Sequence, residues 1–369
     1  MRLRYILAIF LMCIVTELFC EDAFISKSIP IQSCNISVVL DMDTFCAAIL
    51  QLLLDKTVNS DDILIKNIIK AYSDKRNYDN RIDVKAINKF GLSYKDFPLL
   101  ISLISQTKYY TYISQELYKR KTDNLVADKT YNAKLIKLSQ TIKAFYEDNK
   151  TILDDISENY LNEVILEIEK NKTEYFKVIK SFGKDSSNVH ILITPSNNTA
   201  LFLGMAYIDS DLPLNTKVIM LTQPLRGNLF YIFCHELLHA NIPSRNQIDY
   251  FKRTYSTLKP NYQYLIKRLA NNGAGTTIID FFDTAYGNFF IEILAYAYAD
   301  NCADEFNDKM RIQTSDYPPT FTGFDINKKN LLLYYDNVKK FVSMQHLPDE
   351  DVLDLLLNKY FDLLLSSGY

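Results

Sequence analysis

Tryptophan is absent from this chain, and histidine occurs only four times in 369 residues. With so few imidazoles, a pair at a meaningful spacing carries weight. Neither sign of charge dominates, the formal net charge being -3. No basic run interleaved with aromatics occurs, so the electrostatic footprint expected of a nucleic-acid binder is missing. Residues 38 to 183 hold no histidine and no Gly-rich phosphate loop. Past the N-terminus, no apolar run approaches the roughly 20 residues that a bilayer span needs. Internal repeats and low-complexity linkers are also missing. What is present is ordinary for a globular chain: 48% hydrophobic residues, with 26 Tyr and 22 Phe as the aromatic mass. The length suits two lobes or one large domain.

Residues 1–20 read as an export signal. Arg2 and Arg4 are its basic start, Tyr5 to Thr16 its short apolar core, and Leu18-Phe19-Cys20 its cleavage region. The expected location is secreted, periplasmic or cell-surface, with no stable membrane insertion once the signal is removed. Cys20 raises lipid anchoring as an alternative, but Phe19 is bulky where lipidation signals want a small residue; an uncleaved anchor is the third outcome. Signal removal leaves Cys34, Cys46, Cys234 and Cys302. Disulfides are then allowed, in any of three connectivities. Cys34–Cys46 is the most local pairing, Cys234–Cys302 would join two helices discussed below, and a buried free thiol is the default for Cys234. Asn35, Asn149, Asn171 and Asn197 head glycosylation sequons, meaningful only in a glycosylating host.

The pattern from residue 38 to about 183 is mostly helical. Together with the segment before it, this makes a helical N-terminal lobe over 21–185, expected to form one wall of a cleft, with an inhibitory propeptide as the alternative. Three extended runs follow: Val189 to Thr194, Ala200 to Ile208 and Lys217 to Thr222, bounded by Pro, Ser, Asn and Asp turns. Helices resume later, with the last two at about 327–343 and 350–366. The expected class is α+β, mostly helical, with a small mixed sheet ahead of the helix that carries the chemistry and a catalytic region over 186–369.

That helix contains His235-Glu236-Leu237-Leu238-His239. HExxH spacing sets the two imidazoles one turn apart on one face, within reach of a single metal ion. Glu236 then stands beside the metal, where a general base for a bound water belongs. The preceding residues, Leu229 to Cys234, are uncharged, so the helix reads as buried. Buried His, Glu and His need a compensating partner, and a dication is one. Asn228 is the expected N-cap and Pro243 the stop. A surface helix with an accidental HExxH is the bland alternative.

A catalytic zinc takes three protein ligands and leaves one position for water. Glu292 is the best third ligand, being the lone carboxylate in the apolar helical run from Asn288 to Ala299. Asp280 and Asp283 compete for the role, and a Glu292 satisfied by a neighbouring tyrosine is the structural alternative. Tyr286, Tyr296 and His346 are candidates for the donor that stabilises a developing oxyanion, each with core packing as its plainer explanation. His190, in a strand, reads as a satisfied core or edge residue.

With His235, Glu236, His239 and Glu292 in hand, the chain resembles the gluzincins, the thermolysin-like zincins with HExxH on one helix and a ligand Glu on a second. The stretch Ala285-Tyr286-Gly287-Asn288 ahead of Glu292 is also similar to an uncharacterised family of secreted, gluzincin-like bacterial proteins. The resemblance implies a zincin-like fold and zinc as cofactor. It implies a peptide or protein substrate, hydrolysed by a metal-activated water with Glu236 as general base. It further implies an edge strand over the cleft, for which Leu201 to Tyr207 is the candidate, with a plain core strand as the equal alternative. Thermolysin-like enzymes carry Asp four residues after the ligand Glu, where this chain has Tyr296. An inactive zinc-binding module and a metal-dependent amidase or esterase are the rival readings.

Overall fold

The computed structural model describes residues 24–31, 34–54, 70, 129–182, 188–195, 204–207, 216–222, 229–242, 245–254, 258–269, 281–282, 284–305, 326–345 and 347–369. The export signal, Asn228, Pro243, Asp280, Asp283 and His346 lie outside the described residues.

Five strands form one sheet: β1 (Phe24–Ile31), β2 (Cys34–Asp41), β3 (Asn188–Thr194), β4 (Gly204–Tyr207) and β5 (Thr216–Thr222), in the order β1-β2-β3-β5-β4. The sheet is mixed: β1–β2 and β4–β5 pair antiparallel, β2–β3 and β3–β5 parallel. β2 and β3 are central, and Ile36, Val38, Val39, Leu40, Val189, Ile191 and Ile193 on them are buried. That near-continuous apolar character is typical of parallel strands covered on both faces.

The architecture is α+β with a zincin-like arrangement: a small mixed sheet precedes the helix bearing His235. The β1–β2 hairpin is new relative to the sequence pattern, which reads as helical from residue 38. Residues 38–41 instead belong to β2, and helix begins only at Met42. The sheet therefore draws strands from both sides of residues 185–186, since β2 of the N-terminal lobe lies beside β3.

Helix α1 (Met42–Leu54) follows β2 directly. Asp41 is its cap: the carboxylate accepts from the Thr44 backbone N–H at 2.9 Å and also from the Thr44 hydroxyl. Next come α2 (Lys129–Lys170) and α3 (Lys172–Ser181). α2 kinks at Asn149, where φ is -129° and the side-chain amide donates to the Phe145 carbonyl at 2.7 Å. The amides of Asn171 and Asn35 donate as well, to the Glu167 carbonyl and to the Ser37 hydroxyl.

The C-terminal helices are α4 (Leu229–His239), α5 (Arg245–Thr254), α6 (Pro260–Leu269), α7 (Ala285–Glu305), α8 (Lys328–Lys339) and α9 (Glu350–Ser366). Thr284 caps α7, its hydroxyl accepting from the Gly287 N–H at 3.1 Å. Glycine is required at that third helical position, because a Cβ there would sit 2.2 Å from the Phe281 carbonyl oxygen. α9 starts on the Asp349 cap and packs Tyr360 into an aromatic nest of Phe281, Phe289 and Phe290, with its hydroxyl on the Tyr286 carbonyl at 2.9 Å. Burying each such ring contributes about 1.5–3 kcal/mol and holds the start of α7 in place. None of the described helices is long and apolar enough to cross a membrane. Cys34, Cys46, Cys234 and Cys302 are buried free thiols.

Candidate metal centre

α4 is buried from Leu229 to Leu238, including His235 and Glu236, as its apolar sequence implies. α7 packs along it. The result is a cluster of His235, His239 and Glu292 whose ligand atoms all lie within 4.8 Å of one another. His235 Nε2 and His239 Nε2 are 3.1 Å apart. Each also lies 3.3 Å from one oxygen of Glu292. Ligands about 2.0–2.1 Å from a tetrahedral zinc stand roughly 3.3 Å from each other. The donor set, two imidazoles and one carboxylate, is one that zinc takes in hydrolases. The residues therefore fit the ion on both spacing and chemistry. The cluster has the geometry of a gluzincin zinc site.

The electrostatics of the metal-free protein show how tightly these groups are coupled. Burial pushes the Glu292 carboxyl up, but hydrogen bonds and charge from His235 and His239 outweigh it and hold the group far below the carboxylate range. For His239, burial acts downward and the hydrogen bond to Glu292 overcomes it, so the imidazole's pKa is raised. Glu236 behaves oppositely to Glu292. Burial dominates and raises its pKa, the two imidazoles oppose the rise, and the Glu292 charge adds to it. Its Oε1 lies 3.9 Å from His235 Nε2, beside the three ligands rather than among them.

Tyr296 lies half-buried over the cluster, its ring centroid 4.4 Å from that of His235. Burial, then the charges of Glu292 and Glu236, raise its hydroxyl pKa, so it stays a protonated donor. Tyr286 faces elsewhere: its ring packs on Tyr369 at 5.1 Å. His190 sits in β3, with burial lowering its pKa.

Beyond the ligands, the structure adds residues that the sequence pattern did not single out. Asp300, two turns past Glu292, is buried and accepts from Tyr231 of α4 at 3.2 Å. It also accepts from Tyr335 and Lys339 of α8, at 2.9 and 3.1 Å. The available signals were Asp300 as the next carboxylate along α7 and Tyr231 four residues before His235.

No protein-family model, curated protein or solved structure matches the chain. The functional reading therefore rests on the site itself.

Proposed function

We propose that the protein is an exported zinc-dependent metallopeptidase. The observation that carries the reading is Glu236: a buried carboxylate, raised in pKa, 3.9 Å from a ligand imidazole and outside the ligand set. Zinc bound by His235, His239 and Glu292 would lower the pKa of a water and polarise a substrate carbonyl. Glu236 accepts the proton of the attacking water and delivers it to the leaving amine nitrogen. Its raised pKa suits both halves of that task. Tyr296 is the candidate donor to the oxyanion, because its protonated hydroxyl belongs to a ring already packed against a ligand.

A peptide or protein is the proposed substrate. β4 supports this: it pairs with β5 on one side, and among the described residues it ends the sheet. An extended peptide could add there by main-chain hydrogen bonds. Location outside the cytoplasm follows from the N-terminal signal pattern.

The test is a mixed peptide library incubated with zinc-loaded protein beside Glu236→Gln. Cleavage by the first and not the second supports a peptidase. Bound zinc with no cleavage favours a binding module, and turnover of esters or non-peptide amides alone favours the other hydrolase classes.

A further inference from the structure

Three contacts between α4 and α7 fall at matched intervals. Tyr231 bonds Asp300, His235 packs against Tyr296, and His239 meets Glu292. Each advance of four residues on α4 matches a retreat of four on α7, so the helices run antiparallel in a fixed register. Two of these rungs belong to the site already described. The third, Tyr231–Asp300, lies four residues before His235 on α4 and eight past Glu292 on α7.

We propose that Asp300 is a positioning residue whose carboxylate locks the axial register of α4 against α7, and so sets the convergence of His235, His239 and Glu292. The inference rests on the zinc reading above. Its physical basis is a mismatch of tolerances. Slipping one helix by a single residue moves it about 1.5 Å along its axis, whereas metal–ligand distances tolerate about 0.2 Å. A buried carboxylate resists such a slip strongly, since losing a donor leaves charge uncompensated. Asp300 is 5% exposed and accepts from Tyr231 of α4 and from Tyr335 and Lys339 of α8. Tyr335 and Lys339 lie one turn apart on α8 and hold the oxygen opposite the one that Tyr231 uses. The carboxylate thus cannot follow α4 in a slip without leaving α8.

The experiment measures zinc affinity by chelator competition on folded protein, with the visible spectrum of the cobalt(II) form as a record of ligand geometry. Variants are Asp300→Asn and Tyr231→Phe, beside the control Tyr334→Phe. Tyr334 is also on α8 and also buried, but its hydroxyl serves the Leu356 carbonyl. The control therefore loses a buried hydroxyl bond without touching the rung. Both test variants are expected to bind zinc about tenfold more weakly, the cost usual for groups that orient ligands, with an altered cobalt spectrum; the control keeps both. If Asp300→Asn fails to fold, Tyr231→Phe decides alone. Test variants that bind zinc as tightly as the unsubstituted protein overturn the inference, and so does a control that weakens equally. Unsubstituted protein that takes up no zinc overturns the metal reading, and this inference with it.

Discussion

His239 Nε2 and Glu292 Oε1 lie 3.3 Å apart, a spacing at which a proton on the imidazole bonds the carboxylate and raises the imidazole's pKa. Zinc must displace that proton. His239 keeps it to a higher pH than an ordinary imidazole, so zinc uptake near neutrality should release it. Affinity is expected to fall roughly tenfold for each unit by which pH is lowered, per proton displaced. Calorimetric titration in buffers of differing ionisation enthalpy reads that release directly.

The same pair gives the metal-free fold a pH dependence of defined sign. Glu292 is depressed, so its contribution is present above the unfolded carboxylate pKa and fades as pH falls towards the lowered one. His239 is raised, so its contribution is full below the unfolded imidazole pKa and fades as pH rises through the folded one. The window of benefit lies between about 4.3 and 6.5, the ordinary Glu and His values, with an upper edge shifted upward. Zinc-loaded protein should instead gain as pH rises. The gap in Tm between loaded and chelated protein is expected to widen from pH 6 to 8; a constant gap would show that the ligands are not proton-coupled.

Glu236→Gln should preserve zinc content and lower kcat by about 100- to 10,000-fold, since it removes the base while keeping the shape. Steady-state kinetics beside metal analysis separates this from a ligand defect, in which zinc would be lost as well.

Tyr296→Phe keeps the ring against His235 and removes only the hydroxyl. It is expected to retain zinc and to lower kcat about 100-fold with KM little changed, as for loss of an oxyanion donor. An unchanged kcat would assign Tyr296 to packing.

Gly287→Ala drives a methyl into the Phe281 backbone, which cannot rotate away. A loss of about 1–3 kcal/mol is expected from thermal or denaturant unfolding. Stability at the unsubstituted level would mean that the turn before α7 opens freely.

Much of the site was legible because its signals are local. His235 and His239 are four residues apart on one helix, and Glu292 stands out as a lone carboxylate in an apolar run. What joins them is not local. The register of α4 on α7 depends on Asp300, whose partners lie 69, 35 and 39 residues away in the chain. The β1–β2 hairpin is hard to read from sequence for a related reason. A strand buried on both faces lacks a clean alternation, as in Ile36 to Leu40, where Ser37 is the one polar residue and is itself buried, and its parallel partner β3 lies far along the chain. Runs of that kind do not separate strand from buried helix by periodicity.

The most direct measurement is the zinc content of purified, dialysed protein beside His235→Ala and Glu292→Ala. One equivalent of tightly held zinc per chain is expected in the unsubstituted protein, with neither variant retaining it. No uptake by the unsubstituted chain, or full uptake by both variants, would contradict a metal held by His235, His239 and Glu292.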